Sequence, residues 1–388
     1  MISATFWPSY RSLLTLLGTP LYARDSEFDD KKFGFVMSNV LLPMALDYHI
    51  RSRDIDVQQL ADTELSKLNG RPARRDKAVQ NIAGADQTMQ TAFNRALNAS
   101  LASSSFDYTI DGVKHAIGQL NDKRKERLLL LLEYIKDQGF TKGSGLGSLN
   151  HEMNKAGAGF MTAAFVLRKL LRSEGKLSDY VDTMKWYTDF GEVYQDNFEY
   201  KGTTADRMRT ISLWRLFAVL MMPSLTTPEK RQKVRDMNAL VRWYNNAMTP
   251  NEAFAGLLKP DFVAFHHFTF YASSYTPQAL HVAALIQYLL SGTSFCLEIK
   301  SMNNIEKGLE TLRIVSVKYS TPNSVSGRFP GFTRAILSKI LPAYAYAAAN
   351  APSLDGNGKL GAISVQNNDI IRMFVRLYEK VTVSLTIT

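Results

Sequence analysis

Apolar residues recur at helical spacing through most of this chain, in segments separated by glycine or proline, and that alternation confines it to packing helix on helix. Leu128 to Leu132, with Tyr134 and Ile135, predict a helix that ends at Asp137-Gln138-Gly139, where the glycine supplies a natural left-handed stop. Phe160 to Leu171 reads the same way and stops near Ser173-Glu174-Gly175. Tyr180 to Tyr194 follows, carrying Met184, Trp186, Tyr187 and Phe190. Asp206 to Met222 ends before Pro223, and Pro228 opens the next helix, which runs to about Met248. Ala279 to Leu290, Ile305 to Tyr319, Phe332 to Ala349 and Ile370 to Val381 continue the pattern. The best strand alternation is Val381 to Ile387 at the very end. Ala99 to Ile110 and Ala351 to Gly361 read as loops. Asp355-Gly356-Asn357-Gly358 is a turn, since the downstream acidic ligands of a calcium loop are missing.

Helices joined by short turns predict stacked antiparallel hairpins. No strict period of about 34 or 40 residues is present, which favours an irregular ring of helices over a regular solenoid. The fold expected is all-α, an incomplete (α/α) toroid of antiparallel helical hairpins, with at most a short β segment at the C-terminus. Residues 1–110 would form its N-terminal helical part and residues 111–388 its main part, as one continuous domain.

Lys and Arg exceed Asp and Glu by 46 to 36, so the chain carries a formal charge of +10. That surplus favours a polyanionic partner: nucleic acid, an anionic membrane surface or an acidic polysaccharide. The basic runs Arg71 to Lys77 and Asp122 to Arg127 lack the interleaved aromatics of a single-strand platform and read as an exposed linker and a solvated helix start. Gly143-Ser144-Gly145-Leu146-Gly147 lacks the Lys-Ser/Thr of a phosphate-binding loop. The single cysteine, Cys296, excludes an intrachain disulfide and a cysteine-based zinc cluster, and reads as a buried thiol. No stretch reaches the roughly 18–20 apolar residues of a membrane span. The first residues show no basic segment followed by a continuous apolar one, so no signal peptide is read there.

Only six histidines occur, and two are adjacent in Phe265-His266-His267-Phe268-Thr269-Phe270-Tyr271-Ala272-Ser273-Ser274-Tyr275, after a Lys259-Pro260 break. Histidine exchanges a proton near neutrality, and a tyrosine beside positive charge becomes a proton carrier. The stretch points to proton-transfer chemistry. His49, His115 and His281 read as structural, and Trp186, Trp214 and Trp243, set within helical patterns, read as core.

Three separated stretches carry a family resemblance. Lys136-Asp137-Gln138-Gly139-Phe140-Thr141-Lys142-Gly143-Ser144 with Asn150-His151, then Lys259-Pro260-Asp261 through His267 and Tyr275 to Ala284-Leu285-Ile286-Gln287-Tyr288-Leu289-Leu290, and last Ser326-Gly327-Arg328-Phe329-Pro330 agree in order and approximate spacing. They resemble polysaccharide lyases of the chondroitin sulfate ABC lyase and hyaluronate lyase type, specifically the catalytic α/α toroid. The resemblance implies β-elimination of uronic-acid-containing glycosaminoglycans (chondroitin or dermatan sulfate, hyaluronan) without an organic cofactor; no metal ligands are assigned, and a structural metal is left open.

In that reading His151, with Asn150 adjacent, neutralises the uronate carboxylate. His267 and Tyr275 act as base and acid, in an order left open by the epimer, and Arg328 holds the phenolate of Tyr275 or contacts the O4 side. His266 stands where the family carries arginine, and Tyr271 is a rival for the tyrosine role; both are candidates for the sugar cleft. Glu152-Met153-Asn154-Lys155-Ala156-Gly157 replaces the family's aromatic platform after His151. By resemblance the partner is an acidic polysaccharide rather than nucleic acid, the location secreted or periplasmic, and the β-sandwich domains usual in the family fall outside these residues. Two alternatives remain: a catalytically impaired toroid that binds acidic polysaccharide, and a glycoside hydrolase using Asp261 and Glu152.

Overall fold

The structure, a computed structural model, describes residues 34–52, 110–144, 152–195, 204–252, 256–316, 320–327, 339–350, 364–365 and 367–377. Twelve α-helices carry these residues, and the all-α reading holds. They divide into two compact units, one within residues 1–144 and 156–173, the other within residues 145–155 and 174–388. Among the described residues no helix is long and apolar enough to cross a membrane.

In the first unit a π-helical stretch, Val36–Leu41, runs into helix α1 (Leu42–Arg51), and both pack on the long helix α2 (Ile110–Asp137). Leu128, Leu131, Leu132 and Ile135 bury one face of α2, and Gly139 ends it at φ 95°, as its sequence predicts. The charged run Asp122 to Arg127 is not a solvated start. It lies inside this 28-residue helix, and Arg124 is buried, donating from Nε to Asp47 (2.9 Å) and from Nη1 to Asn121 (3.0 Å). A buried guanidinium needs such a partner, and Asp47 lies too far back in the sequence for pattern reading to supply it. Helix α3 (Glu152–Val166) brings Gly159 against the backbone of Met37 so closely that a Cβ would sit 2.3 Å from it. Phe160 packs edge-on to Phe140, with ring centroids 4.8 Å apart. Helix α4 (Arg168–Ser173) closes the unit.

The second unit is built on helices α5 (Leu177–Tyr187), α6 (Thr204–Thr210), α7 (Ser212–Met221), α8 (Thr227–Ala247), α9 (Tyr275–Leu290), α10 (Ile299–Ile314), α11 (Leu341–Ala348) and α12 (Asn368–Leu377). Helix α9 packs against α6, α10 and α11, while α7 packs against α5, α6 and α8. The start of α8 is a full capping box: Thr226 accepts from the Glu229 amide, Glu229 returns to the Thr226 amide (2.8 Å), and Pro228 sits in the first turn. Helix α9 begins four residues earlier than apolar periodicity alone indicates, and α10 runs Ile299–Ile314 rather than Ile305 to Tyr319.

Inside this unit Arg215 is fully buried. It donates to the carbonyls of Thr188 (2.9 Å) and Asp189 (2.8 Å) and to Glu192 (2.5 Å), which also pairs with Arg207. Burial lowers the Arg215 pKa, against the pull of Glu192. Trp243 is core, but Trp186 is not: it remains 38% exposed, on the outer side of α5. Cys296 is exposed rather than buried, because the loop after α9 turns Leu297 inward instead. His281 is structural: its Nδ1 lies 2.9 Å from the Lys339 carbonyl, and burial holds its pKa down.

The strands among the described residues form two antiparallel ladders of two residues each, Phe265–His266 (β1) with Thr269–Phe270 (β2), and Ala349–Asn350 (β3) with Ser364–Val365 (β4). Two-residue strands are too short for alternation to reveal them. The expected C-terminal strand, the loops Ala99 to Ile110 and Ala351 to Gly361, and the run Arg71 to Lys77 lie outside the described residues, apart from Ile110.

Candidate active site

The His–Tyr segment is shaped by its turns. Lys259 and Val263 close a turn over Pro260-Asp261, with the Asp261 carboxylate accepting the Val263 amide at 3.1 Å, and Leu258 bridges Ala264. Asp261 therefore serves the turn, which weakens its candidacy as a hydrolytic acid. The chain then enters the β1–β2 hairpin, whose two-residue loop is His267-Phe268. Both loop residues have positive φ, 48° and 63°, as a type I′ turn requires. That turn favours Asn-Gly, so a His-Phe pair is held there against its intrinsic preference, at about 1–2 kcal/mol per residue.

After the hairpin, Thr276 anchors the start of α9 by donating from Oγ1 to the Ala264 carbonyl (2.9 Å), and Tyr275 becomes the first residue of the helix. The segment before Arg328 locks the other side. The Ala272 amide donates to Val325 (2.9 Å), and Ser273 Oγ donates to Ser326 (3.3 Å). Gly327, at φ 59°, packs so closely on Tyr271 that a Cβ there would lie 2.4 Å from its ring. Glycine meets both demands of this position, the left-handed backbone and the close approach.

The result is a compact aromatic cluster. The His267 and Tyr275 ring centroids lie 5.8 Å apart at 90°; His266 sits between them, 3.9 Å from His267 and 4.0 Å from Tyr275. Tyr271 stands perpendicular to Tyr275 at 5.0 Å. His267 is exposed, whereas His266 is 0% exposed, Tyr271 4% and Tyr275 6%. The cluster thus offers one imidazole to solvent and backs it with a buried imidazole and two buried phenols.

Helix α6 supplies what sequence reading misses. Its Asp206 Oδ2 lies 3.2 Å from His266 Nε2, an ion-pair approach, while among the described residues His266 Nδ1 has no hydrogen-bond partner. Arg209 bonds Asp206 Oδ1 and Gln278 Oε1 (3.0 Å), and its guanidinium stacks 4.6 Å from the Tyr275 ring centroid. Burial pushes the Asp206 carboxyl up, but His266 and Arg209 together outweigh it and hold the group well below the usual carboxylate range. Asp206 and Arg209, three apart on one helix, look in the sequence like a surface ion pair; only their closeness in space to histidines remote in the chain gives them meaning. Among the described residues, Asp206, His266 and His267 also bring one ligand atom each within 4.8 Å of one another.

The structure therefore brings together His266, His267, Tyr271 and Tyr275 of the expected site residues. Asn150, His151 and Arg328 lie outside the described residues, although Gly327 fixes the chain immediately before Arg328.

The fold and the cluster together place two imidazoles and two phenols, groups suited to acid–base chemistry, at one hairpin and helix junction. Residues 90–364 match the model of the family described as "Lyase, catalytic", and the chain belongs to that family. It is similar to the chondroitin sulfate ABC exolyase of Bacteroides thetaiotaomicron, 30% identical over 239 residues that cover 62% of this chain and 22% of that protein. It is similar also to the chondroitin sulfate ABC exolyase of Proteus vulgaris, 29% identical over 213 residues (54% and 20%). A chondroitin sulfate ABC endolyase of Proteus vulgaris is 25% identical over 235 residues (59% and 22%). The chain spans about a fifth of the length of these curated relatives.

Proposed function

We propose that this chain carries the proton-transfer centre of a polysaccharide lyase that cleaves uronic-acid-containing glycosaminoglycans by β-elimination. The observation that carries the reading is the pairing of an exposed His267 with Tyr275, rings 5.8 Å apart, in a site where Arg209 and the N-terminus of α9 place positive charge beside the phenol.

The reaction needs these groups. A base removes the C5 proton of the uronate, the C4–C5 double bond forms, and the C4–O4 bond breaks with its electron pair leaving on O4, which an acid protonates. Positioned acid–base catalysis of this kind contributes about 10²–10⁴-fold. His267 and Tyr275 take the two proton-transfer roles. The C5 proton becomes acidic only when the adjacent carboxylate is neutralised, and His151 with Asn150 supplies that donor. Arg328 stabilises the charge developing at Tyr275 or O4. Asp206 and Arg209 hold the cluster from behind, the carboxylate against His266 and the guanidinium against Tyr275, while His266 and Tyr271 buttress the reacting pair from the cleft wall. The chondroitin sulfate named in the relatives' descriptions supports chondroitin or dermatan sulfate as first substrates, with hyaluronan next, and an acidic polymer also suits a chain of formal charge +10. A lyase of such polymers acts outside the cytoplasm.

A second reading, polysaccharide binding without cleavage, is favoured by one observation: Tyr275 is only 6% exposed, so a substrate reaches it only if the cluster opens. Mass spectrometry of chondroitin sulfate after incubation separates the readings. Elimination yields an unsaturated end, one water lighter than a hydrolytic product. Intact polymer that nevertheless co-sediments with the chain would overturn the lyase reading in favour of binding, and hydrated ends would overturn both.

A further inference from the structure

His266 is the least explained residue of the cluster. It is completely buried, and among the described residues its Nδ1 has no hydrogen-bond partner, a condition that costs about 1–3 kcal/mol. A phenyl ring would fill a packing role without that penalty. Its Nε2 instead faces an Asp206 oxygen at 3.2 Å, with the exposed imidazole of His267 directly against it at a ring separation of 3.9 Å.

We propose that Asp206, His266 and His267 form a binding site for one divalent transition-metal ion of the zinc class. Two imidazole nitrogens and a carboxylate oxygen are the donor set such ions take, in preference to magnesium or calcium, which favour all-oxygen sites. Their ligand atoms lie within 4.8 Å of one another. Donors around a tetrahedral zinc sit about 3.4 Å apart, so closing the site takes a movement of about 1 Å. His267, exposed at the tip of a two-residue turn, is the ligand placed to make it.

The carboxylate is already prepared for the task. Arg209 holds Asp206 through Oδ1, by its Nε at 2.7 Å and by its Nη2, and Oδ2 faces His266. A ligating carboxylate oriented by a hydrogen bond to its second oxygen is the usual supporting arrangement of metal sites. Three protein ligands leave a coordination position for water or a substrate oxygen.

The site has a consequence for the proposed chemistry, and that consequence rests on the lyase reading. One nitrogen of His267 cannot both hold an ion and accept a proton, so occupancy switches off proton transfer by His267.

The test is a titration of the untagged, metal-stripped full chain with Co²⁺, read by its visible absorption bands without any polysaccharide, and with Zn²⁺ by equilibrium dialysis. The expected result is one ion per chain, with His267→Ala and Asp206→Asn each weakening binding by about tenfold or more. His267→Ala alters an exposed side chain, and circular dichroism establishes its folding. Absence of stoichiometric binding, or binding that either substitution leaves unchanged, would overturn the site. Because the readout needs no turnover, a chain that binds the ion but is inactive even when metal-stripped refutes the lyase reading alone, and an active chain that binds none refutes the metal site alone.

Discussion

At the scale of single residues, the site depends on positions with no chemistry of their own. Gly327 is the clearest. Its φ of 59° and the 2.4 Å that would separate an added Cβ from the Tyr271 ring leave no room for a side chain. Gly327→Ala is therefore expected to destabilise the second unit by about 2 kcal/mol or more, through the left-handed backbone and the clash together. A urea-denaturation midpoint measures it, and a change within about 0.5 kcal/mol would contradict this packing. The sequence marks this glycine as half of a Gly-Arg turn but not its contact with Tyr271, since 56 positions of chain separation hide it. The same holds for Asp206 and Arg209: an acid and a base three apart on a helix are common surface features, and nothing in the pattern marks these two as the backing of a histidine 60 positions later. His266 and His267, by contrast, are legible, because adjacent histidines are rare enough to stand out even without a fold.

At the scale of elements, helices are readable and hairpins are not. Gly139, Pro223 and Pro228 punctuate the chain where α2, α7 and α8 begin or end. Helix α9 starts early because Thr276 and the preceding turn tie its first residues to Ala264, a tertiary bond that periodicity does not contain. The β1–β2 hairpin is invisible for a different reason: its loop pair, His267-Phe268, is the reverse of what a type I′ turn prefers. That strain makes a prediction. Phe268 is 58% exposed and at φ 63°, so Phe268→Gly is expected to stabilise the fold by about 1 kcal/mol. Thermal unfolding measures it, and a loss of stability of the same size would mean that Phe268 packs in a way that outweighs its backbone strain.

At the scale of the whole molecule, an all-α chain of formal charge +10 assembles a site from three regions, residues 206–209, 265–278 and 325–327, within one compact unit. The central claim is that this assembly performs elimination with Tyr275 as an obligatory proton carrier. The most direct measurement is ultraviolet absorbance over time after mixing the chain with chondroitin sulfate, dermatan sulfate or hyaluronan, beside a Tyr275→Phe variant of matched folding. The account predicts a rise from the conjugated unsaturated product with at least one polymer, and its loss in the variant. An equal rise with Tyr275→Phe, or none with any polymer from the folded chain, would contradict it.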